Sequence, residues 1–573
     1  MSTVKTGAEL LIELLKRAGV RLLFGLPGDT SVAFYDALAR QRTLRHIVTR
    51  DERHAAYMAD GAARVTGQRM VVEASSGGGA AYLASGLVEA YAASVPVLAI
   101  VSDIHQDSRG SGALTEFPVD TLLTGATKAV HRVDRVHQLP QAMQALWHQL
   151  GAQRPAPGAL VVPEDLWEAS VPAGYEVTGY ALRSDFPATR SEADPPLVEQ
   201  AAQWLAAAQQ PAIVAGGGVH WARAYEALQT LAETFQLPVA TTIHGKGALP
   251  ETHPLCLGVV GANGGHPATN AYLAQADVVL FVGTRANATD TLGFRAPPRK
   301  GTRVIQIDID PQRAGANYPG ALPLIGDARV VLAQLIDALS QAGGVPKDER
   351  MEQITQVRKQ GMPPPPEESG SVLSARYVVH RVHRLATAHG DVIVVGDPGT
   401  PTPYLAAYWT LHRAGRTVIL PRGVGPMGYA IPAGIGIALA CPQQPVLVFT
   451  TEGSMAMAAG ELETAVRYEL PILFVQLTNQ AYGWIQALQH FYYEKRYFGV
   501  TLGPVDGVQL ARSMGMEAER VSDPTQLTRK LLQFFQQGRP CLLEVPVQSL
   551  IEEMPPVQPW LEAQQGERER PVY

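Results

Sequence analysis

Short apolar runs alternate with longer amphipathic stretches along almost the whole of this 573-residue chain. Runs that end in glycine or an acidic residue predict buried strands, and the stretches between them predict helices. Such alternation argues for parallel sheets covered by helices. "MVVEAS" reads as a strand, "GGG" as a turn, "AAYLASGLVEAYAAS" as a helix and "VPVLAIVS" as the next strand, one βαβ unit. At the N-terminus, "MSTVKTGAELLIELLKRAGV" reads as an amphipathic helix, with Thr6 and Glu9 at capping-box spacing and Gly19 as its stop.

The alternation weakens after "PGALVVPEDLW" and resumes with "PAIVAGGGV", "VVLFVGTR" and "RVIQIDID". A third block carries "VIVVGD", "VLVFTT", "PILFVQLTN" and "PCLLEVPV". The expected fold is α/β, with three doubly wound parallel-sheet domains at 1–172, 190–342 and 372–550. Residues 343–371 hold "GMPPPPEESGS", whose four consecutive prolines predict a stiff, extended linker. Residues 551–573 read as a polar tail or a lid.

Composition narrows the function without choosing it. Hydrophobic residues make up 46% and charged residues 17%, which fits a globular enzyme with large buried surfaces. The net charge of −6 and the lack of a basic block argue against nucleic acid as a partner. No apolar stretch is long enough to span a bilayer, and no cleavage-site pattern follows the first helix, so a soluble protein is expected. Cys256, Cys441 and Cys541 lie far apart without metal spacing, which points to a reducing cytoplasm rather than a disulfide framework.

Two strand ends in the third block carry oxygen donors. Glu452 follows "VLVFTT" and Asn479 follows "PILFVQLT", one strand–helix–strand unit later, so adjacent strand ends are open to them. A carboxylate, an amide oxygen and a nearby carbonyl suit Mg²⁺ or Ca²⁺. Ser454 and the amides opening the next helix suit a diphosphate. A capping glutamate and a turn asparagine explain the same residues. Glu52 is either a first-turn glutamate favoured by the helix dipole or a carboxyl set in a cleft to handle a proton. His380 and His383 share a helix face and, with no acidic third ligand nearby, read as solvated. The "AGGGV" at 215–219 is a weak nucleotide signal.

In their order and spacing, the segments resemble the thiamine-diphosphate enzymes that include acetolactate synthase, pyruvate oxidase and the 2-hydroxyacyl-CoA lyases. The resemblance runs from Gly7 to about Val547 and rests on "FGLPGDTSVAFYDAL", "TRDERHAAYMADGAARVTG", "SSGGGAAYLASGLVEAYAASVPVLAI" and "GALTEFPVDTLLTGATK" in the first domain. "ATTIHGKGALPETHPLCLG" and "RVIQIDIDP" carry it in the middle, and "RGVGPMGYAIPAGIGIALA" and "GELETAVRYELPI" in the third. It implies pyrimidine-binding, middle and diphosphate-binding domains in that order.

The resemblance also implies thiamine diphosphate with Mg²⁺ or Ca²⁺, and a reaction through a C2 ylide and an enamine intermediate. Glu52 matches the glutamate that activates the aminopyrimidine. Pro27, Gly28, Gly399, Thr400, Gly425, Met427, Gly453, Ser454, Asn479 and Tyr482 match cofactor-binding positions, with Met427 as the apolar prop beneath the rings. Glu452, Asn479 and the carbonyl of Ala481 match metal ligands, but Thr451 and Glu452 replace a glycine and an aspartate of the family pattern. Pro401 replaces a histidine common in acetolactate synthases.

Substrate contacts are implied around Thr115 and Gln480, near Arg53, His54 and the helix "WIQALQHFYY". Arg53 and His54 read equally as solvent-facing helix residues. Some relatives hold FAD or ADP in the middle domain, and many keep the same fold empty. Active sites between subunits imply a homodimer or homotetramer acting on small molecules. The first expected function is an acetolactate-synthase-like carboligase and decarboxylase of a 2-oxo acid. A 2-hydroxyacyl-CoA lyase and a cofactor-poor, non-catalytic subunit are the alternatives.

Overall fold

The computed structural model describes residues 5–171, 189–343, 348–361 and 372–566, together with 180, 182, 186, 187 and 570. Each apolar block forms a six-stranded sheet, and every strand pairing within the sheets is parallel. The first holds β1 (Leu22–Leu26), β2 (Arg45–Val48), β3 (Met70–Ala74), β4 (Val97–Asp103), β5 (Val130–Arg132) and β6 (Gly158–Pro163). Their spatial order is β2-β1-β3-β4-β6-β5. β3 and β4 are buried along their whole length, which explains why β4 opens as the continuous apolar run "VLAIV" and why Glu73 of β3 is buried.

The second sheet holds β7 (Pro211–Ala215), β8 (Val239–Thr241), β9 (Cys256–Val259), β10 (Val278–Val282), β11 (Arg303–Asp308) and β12 (Leu322–Ile325). Its order, β12-β11-β10-β7-β8-β9, reverses direction between β7 and β10, the doubly wound arrangement of dinucleotide-binding domains. The third holds β13 (Ile393–Gly396), β14 (Val418–Ile419), β15 (Val446–Thr451), β16 (Ile472–Thr478), β17 (Glu517–Arg520) and β18 (Cys541–Pro546). Its order, β14-β13-β15-β16-β18-β17, repeats that of the first sheet strand for strand.

One apolar core spans the first and third domains, and the middle domain closes its own, touching its neighbours through Trp221, Ile243 and Val259. The join is helix on helix: Glu52–Thr66 lies against Ala430–Ala440. No helix among the described residues is long and apolar enough to cross a membrane. The N-terminal helix Gly7–Arg17 carries the expected capping box, with Thr6 N–H donating to Glu9 Oε2 at 3.0 Å and Glu9 N–H to Thr6 Oγ1 at 3.3 Å.

The linker and His383 differ from expectation, and the segment read as a tail or a lid holds a helix. Within the predicted linker, Asp348–Lys359 is a helix anchored by buried Ile354 and by Arg350, whose Nη1 donates to the Phe235 carbonyl at 3.0 Å. The four prolines lie outside the described residues. Beyond β18, Gln558–Gln564 is a helix whose Trp560 is buried against Trp484, ring centroids 4.4 Å apart. His383 is buried rather than solvated, because its Nε2 pairs with the Thr410 carbonyl at 2.9 Å.

Candidate active site

Loops that follow strands flanking a reversal of strand order diverge and leave a crevice at the carboxyl edge of the sheet. In the first domain the reversal lies between β1 and β3. Glu52 opens its helix there, 7% exposed, capped by Asp51, which accepts from Arg53 N–H at 2.8 Å. Burial raises its carboxyl above the ordinary value, and the charge of Asp51 adds to this. A Cβ on Gly79 would stand 3.0 Å from Glu52 Oε1. Pro27 and Gly28 follow β1 beside it, and a Cβ on Gly28 would strike Ser75 Oγ at 2.4 Å.

Thr115 reaches the same edge through Ser76, their hydroxyls 2.7 Å apart. Its φ of 67° is a strained conformation for a β-branched residue, held here by that bond and by close contact with Gly77. Gln480, in the loop after β16, also has a positive φ, 59°.

In the third domain the reversal lies between β13 and β15, and a cavity of about 420 Å³ opens beside it. Gly399, Thr400, Gly425, Met427, Glu452, Gly453, Asn479, Ala481 and Tyr482 border this cavity. Ser454 does not: it is fully buried behind it. Glu452 and Asn479 stand on neighbouring strand ends, since β15 and β16 pair with Thr451 opposite Leu477. Glu452 is 8% exposed, and its Oε1 accepts from Asn479 N–H at 2.9 Å and Ala481 N–H at 3.3 Å.

The arrangement fits a ringed, diphosphate-bearing group. A Cβ at Gly453 would fall 2.8 Å from Tyr482 Cε1 and 3.1 Å from Met427 Cε, so the floor of the cavity is a cradle that only glycine leaves open. Beside it stand a carboxylate, a primary amide and a backbone carbonyl, hard oxygen donors of the kind that Mg²⁺ takes. Trp484, Trp560 and Arg570 complete the wall. Trp484 opens the "WIQALQHFYY" helix expected near the substrate, whereas Trp560 and Arg570 did not stand out, because only folding beyond β18 brings them here.

Pro27, Gly28, Glu52 and Thr115 border none of this cavity. His54, read as a helix-surface residue, is buried, and its Nδ1 lies 3.1 Å from Glu461 Oε1. Arg53 remains part-exposed and pairs with Asp51 at 3.2 Å.

Comparison with known proteins accounts for the divided arrangement. Residues 5–123 match the N-terminal TPP binding domain of thiamine pyrophosphate enzymes, 198–335 their central domain and 397–545 their C-terminal TPP binding domain. The chain belongs to the thiamine pyrophosphate enzyme family. It is 32% identical to the probable acetolactate synthase large subunit of Methanocaldococcus jannaschii, covering 94% of this chain and 91% of that one. It is 31% identical to the acetolactate synthase isozyme 3 large subunit of Escherichia coli K12, over 93% of each. To the acetolactate synthase of Arthrospira platensis it is 31% identical, over 95% of this chain and 94% of the other. The two TPP-binding domains of this family member are the two that share a strand order.

One further acid sits beside Glu52. Glu73, fully buried in β3, is pushed up to about 8, mainly by burial, with the Glu52 charge adding to it. The Tyr35 hydroxyl donates to Glu73 Oε2 at 2.6 Å and accepts from His46 Nε2 at 3.0 Å, His46 being held neutral by burial. Between about pH 5 and 8 the folded chain keeps a proton on Glu73 that the unfolded chain has lost, so stability falls as pH rises through that window. Glu73→Gln is expected to flatten that fall. Melting temperatures across the window check it, and equal slopes in the two proteins would refute it.

Proposed function

We propose that this chain is an acetolactate-synthase-like enzyme, which decarboxylates a 2-oxo acid such as pyruvate and joins the remaining fragment to a second carbonyl. The observation that carries this reading is Glu52, a buried carboxyl of raised proton affinity at the reversal of the first sheet. The full-length likeness to acetolactate synthases supports it. Thiamine diphosphate, when bound, supplies an electron sink beside the reacting carbonyl.

The chain's own residues do the rest. Glu52 holds the proton at N1′ of the aminopyrimidine. Met427 would prop the cofactor, with Pro27, Gly28, Gly399, Thr400, Gly425, Gly453 and Tyr482 around it, while Ser454, buried behind the cavity, would only support that wall. Glu452, Asn479 and the Ala481 carbonyl hold Mg²⁺, or the larger Ca²⁺. Trp484 and Trp560 keep water out, and Thr115 and Gln480 face the substrate.

The two half-sites meet between copies, in a homodimer or homotetramer. Val32, Tyr82, Leu114 and Phe117 are exposed in the first domain, and Val424, Met457 and Ile485 in the third. Apposing these surfaces from two copies buries both sets, as the symmetric default requires. Three unpaired cysteines are in keeping with the cytoplasm.

The middle domain takes FAD or ADP. A cavity of about 640 Å³ opens at its own strand reversal, between Gly217–Gly218 after β7 and Gly283 after β10. Arg285 and Arg313 line it for phosphates.

One preparation tests the whole reading. Calorimetric titration with thiamine diphosphate is expected to show binding that Mg²⁺ or Ca²⁺ promotes and EDTA removes, followed by turnover of pyruvate. Denaturing the same protein is expected to release FAD or ADP. No binding with any metal would leave a non-catalytic subunit, and turnover of a 2-hydroxyacyl-CoA in place of pyruvate would make it a lyase.

A further inference from the structure

Glu89 is the one charged residue of the helix Gly78–Ala92, and it is fully buried. Its carboxylate crosses from the first domain to the third. Oε1 accepts from Gly423 N–H at 2.9 Å, and Oε2 from Val424 N–H at 2.7 Å and Gly425 N–H at 3.2 Å. Successive N–H groups turned towards one point form a nest for an anion, and here the anion belongs to the protein. The fit is close: a Cβ on Gly423 would stand 2.7 Å from the Glu89 carbonyl oxygen and 2.9 Å from Cδ.

Arg64 holds the carboxylate from behind. Its Nη2 donates to Glu89 Oε1 at 3.0 Å and to Asp60 Oδ1 at 3.1 Å, while Nη1 donates to the Leu420 carbonyl at 3.4 Å. At the far end of the segment, the Tyr429 hydroxyl donates to Asp60 Oδ2. Residues 420–429 are thus gripped at their start, middle and end by side chains of the other domain. Gly425 and Met427, which border the third-domain cavity, lie inside that grip.

We propose that Glu89 is a positioning residue, fixing Gly425 and Met427 for the cofactor through the backbone of 423–425. This rests on the reading that the cavity takes thiamine diphosphate. A carboxylate suits the place, because its four hydrogen-bond partners, the N–H groups of Gly423, Val424 and Gly425 and Arg64 Nη2, are all donors. A carboxamide would turn its own N–H towards one of them.

The test uses the full chain with Glu89→Gln, Glu89→Asp and, as a control, Glu544→Gln, another buried carboxylate that accepts a backbone N–H, from Val508 at 3.2 Å. Without cofactor, amide exchange at 423–425 is expected to quicken about tenfold or more in Glu89→Gln, as bonds to a charged acceptor are lost. Thiamine diphosphate affinity falls about tenfold, and at saturating cofactor kcat falls about 10- to 100-fold with pyruvate KM within about threefold, as misplacement of a reacting group predicts. Glu89→Asp, still charged, recovers part of each loss. Glu544→Gln lowers the melting temperature and leaves exchange at 423–425 and kcat unchanged.

Exchange in Glu89→Gln equal to wild type overturns the proposal. So does faster exchange with cofactor affinity and kcat intact, which would make Glu89 a structural tie between domains. A wild-type protein that binds no thiamine diphosphate overturns the site reading as well, and the exchange experiment tells these failures apart because it needs no cofactor.

Discussion

Glu52→Gln is expected to lower pyruvate turnover by about 10²- to 10⁴-fold, the range for losing a positioned acid–base group. Thiamine diphosphate affinity is expected to stay within about threefold of wild type, since the amide keeps the side chain's length and one acceptor. The split follows from where Glu52 stands. It lies at the reversal of the first sheet, apart from the third-domain cavity, so in the proposed site it would act in proton chemistry rather than in anchorage. Its raised proton affinity suits a group that must carry a proton near neutrality. A parallel loss of affinity and kcat would instead mark Glu52 as a structural cap of its helix. Steady-state turnover and calorimetry on the two proteins decide it.

Much of this was legible in the chain. Strand ends could be read because buried parallel strands are apolar on both faces, so "VLVFTT" and "PILFVQLT" stop abruptly at Glu452 and Asn479. The capping box at Thr6 and Glu9 is a local signal and survives folding unchanged. The shared strand order of the first and third domains was not legible, because order depends on which neighbour a strand finds.

The helix at Asp348–Lys359 was missed because "DERMEQITQVRK" is polar almost throughout and needs the middle domain to bury Ile354. His54 and Glu89 were hidden for a related reason. A lone polar residue on a helix normally faces water, and only the packing of one domain against the other gives these two partners. Glu89 did leave a trace, as the single charge in "GGAAYLASGLVEAYA".

Glu452→Gln is expected to weaken thiamine diphosphate binding on the order of 100-fold or more in Mg²⁺ and to make what remains indifferent to EDTA, because an uncharged amide is a poor ligand for a hard dication. The extra methylene relative to aspartate is used in this fold. It lets Oε1 reach the N–H groups of Asn479 and Ala481 across the gap between β15 and β16, which ties together the two segments of the proposed metal site. Glutamine keeps that reach, so Glu452→Gln is expected to retain the wild-type melting temperature within a few degrees. Glu452→Ala loses the reach as well and is expected to melt lower, with buried N–H groups left unpaired. Glu452→Asp separates charge from length: it keeps the ligand and gives up the tie. If the tie sets the metal geometry, Glu452→Asp binds cofactor more weakly than wild type despite its charge. If Glu452→Asp binds more tightly, the glutamate is an imperfect ligand that the chain tolerates, and the bonds to Asn479 and Ala481 hold the loop without preparing it for metal.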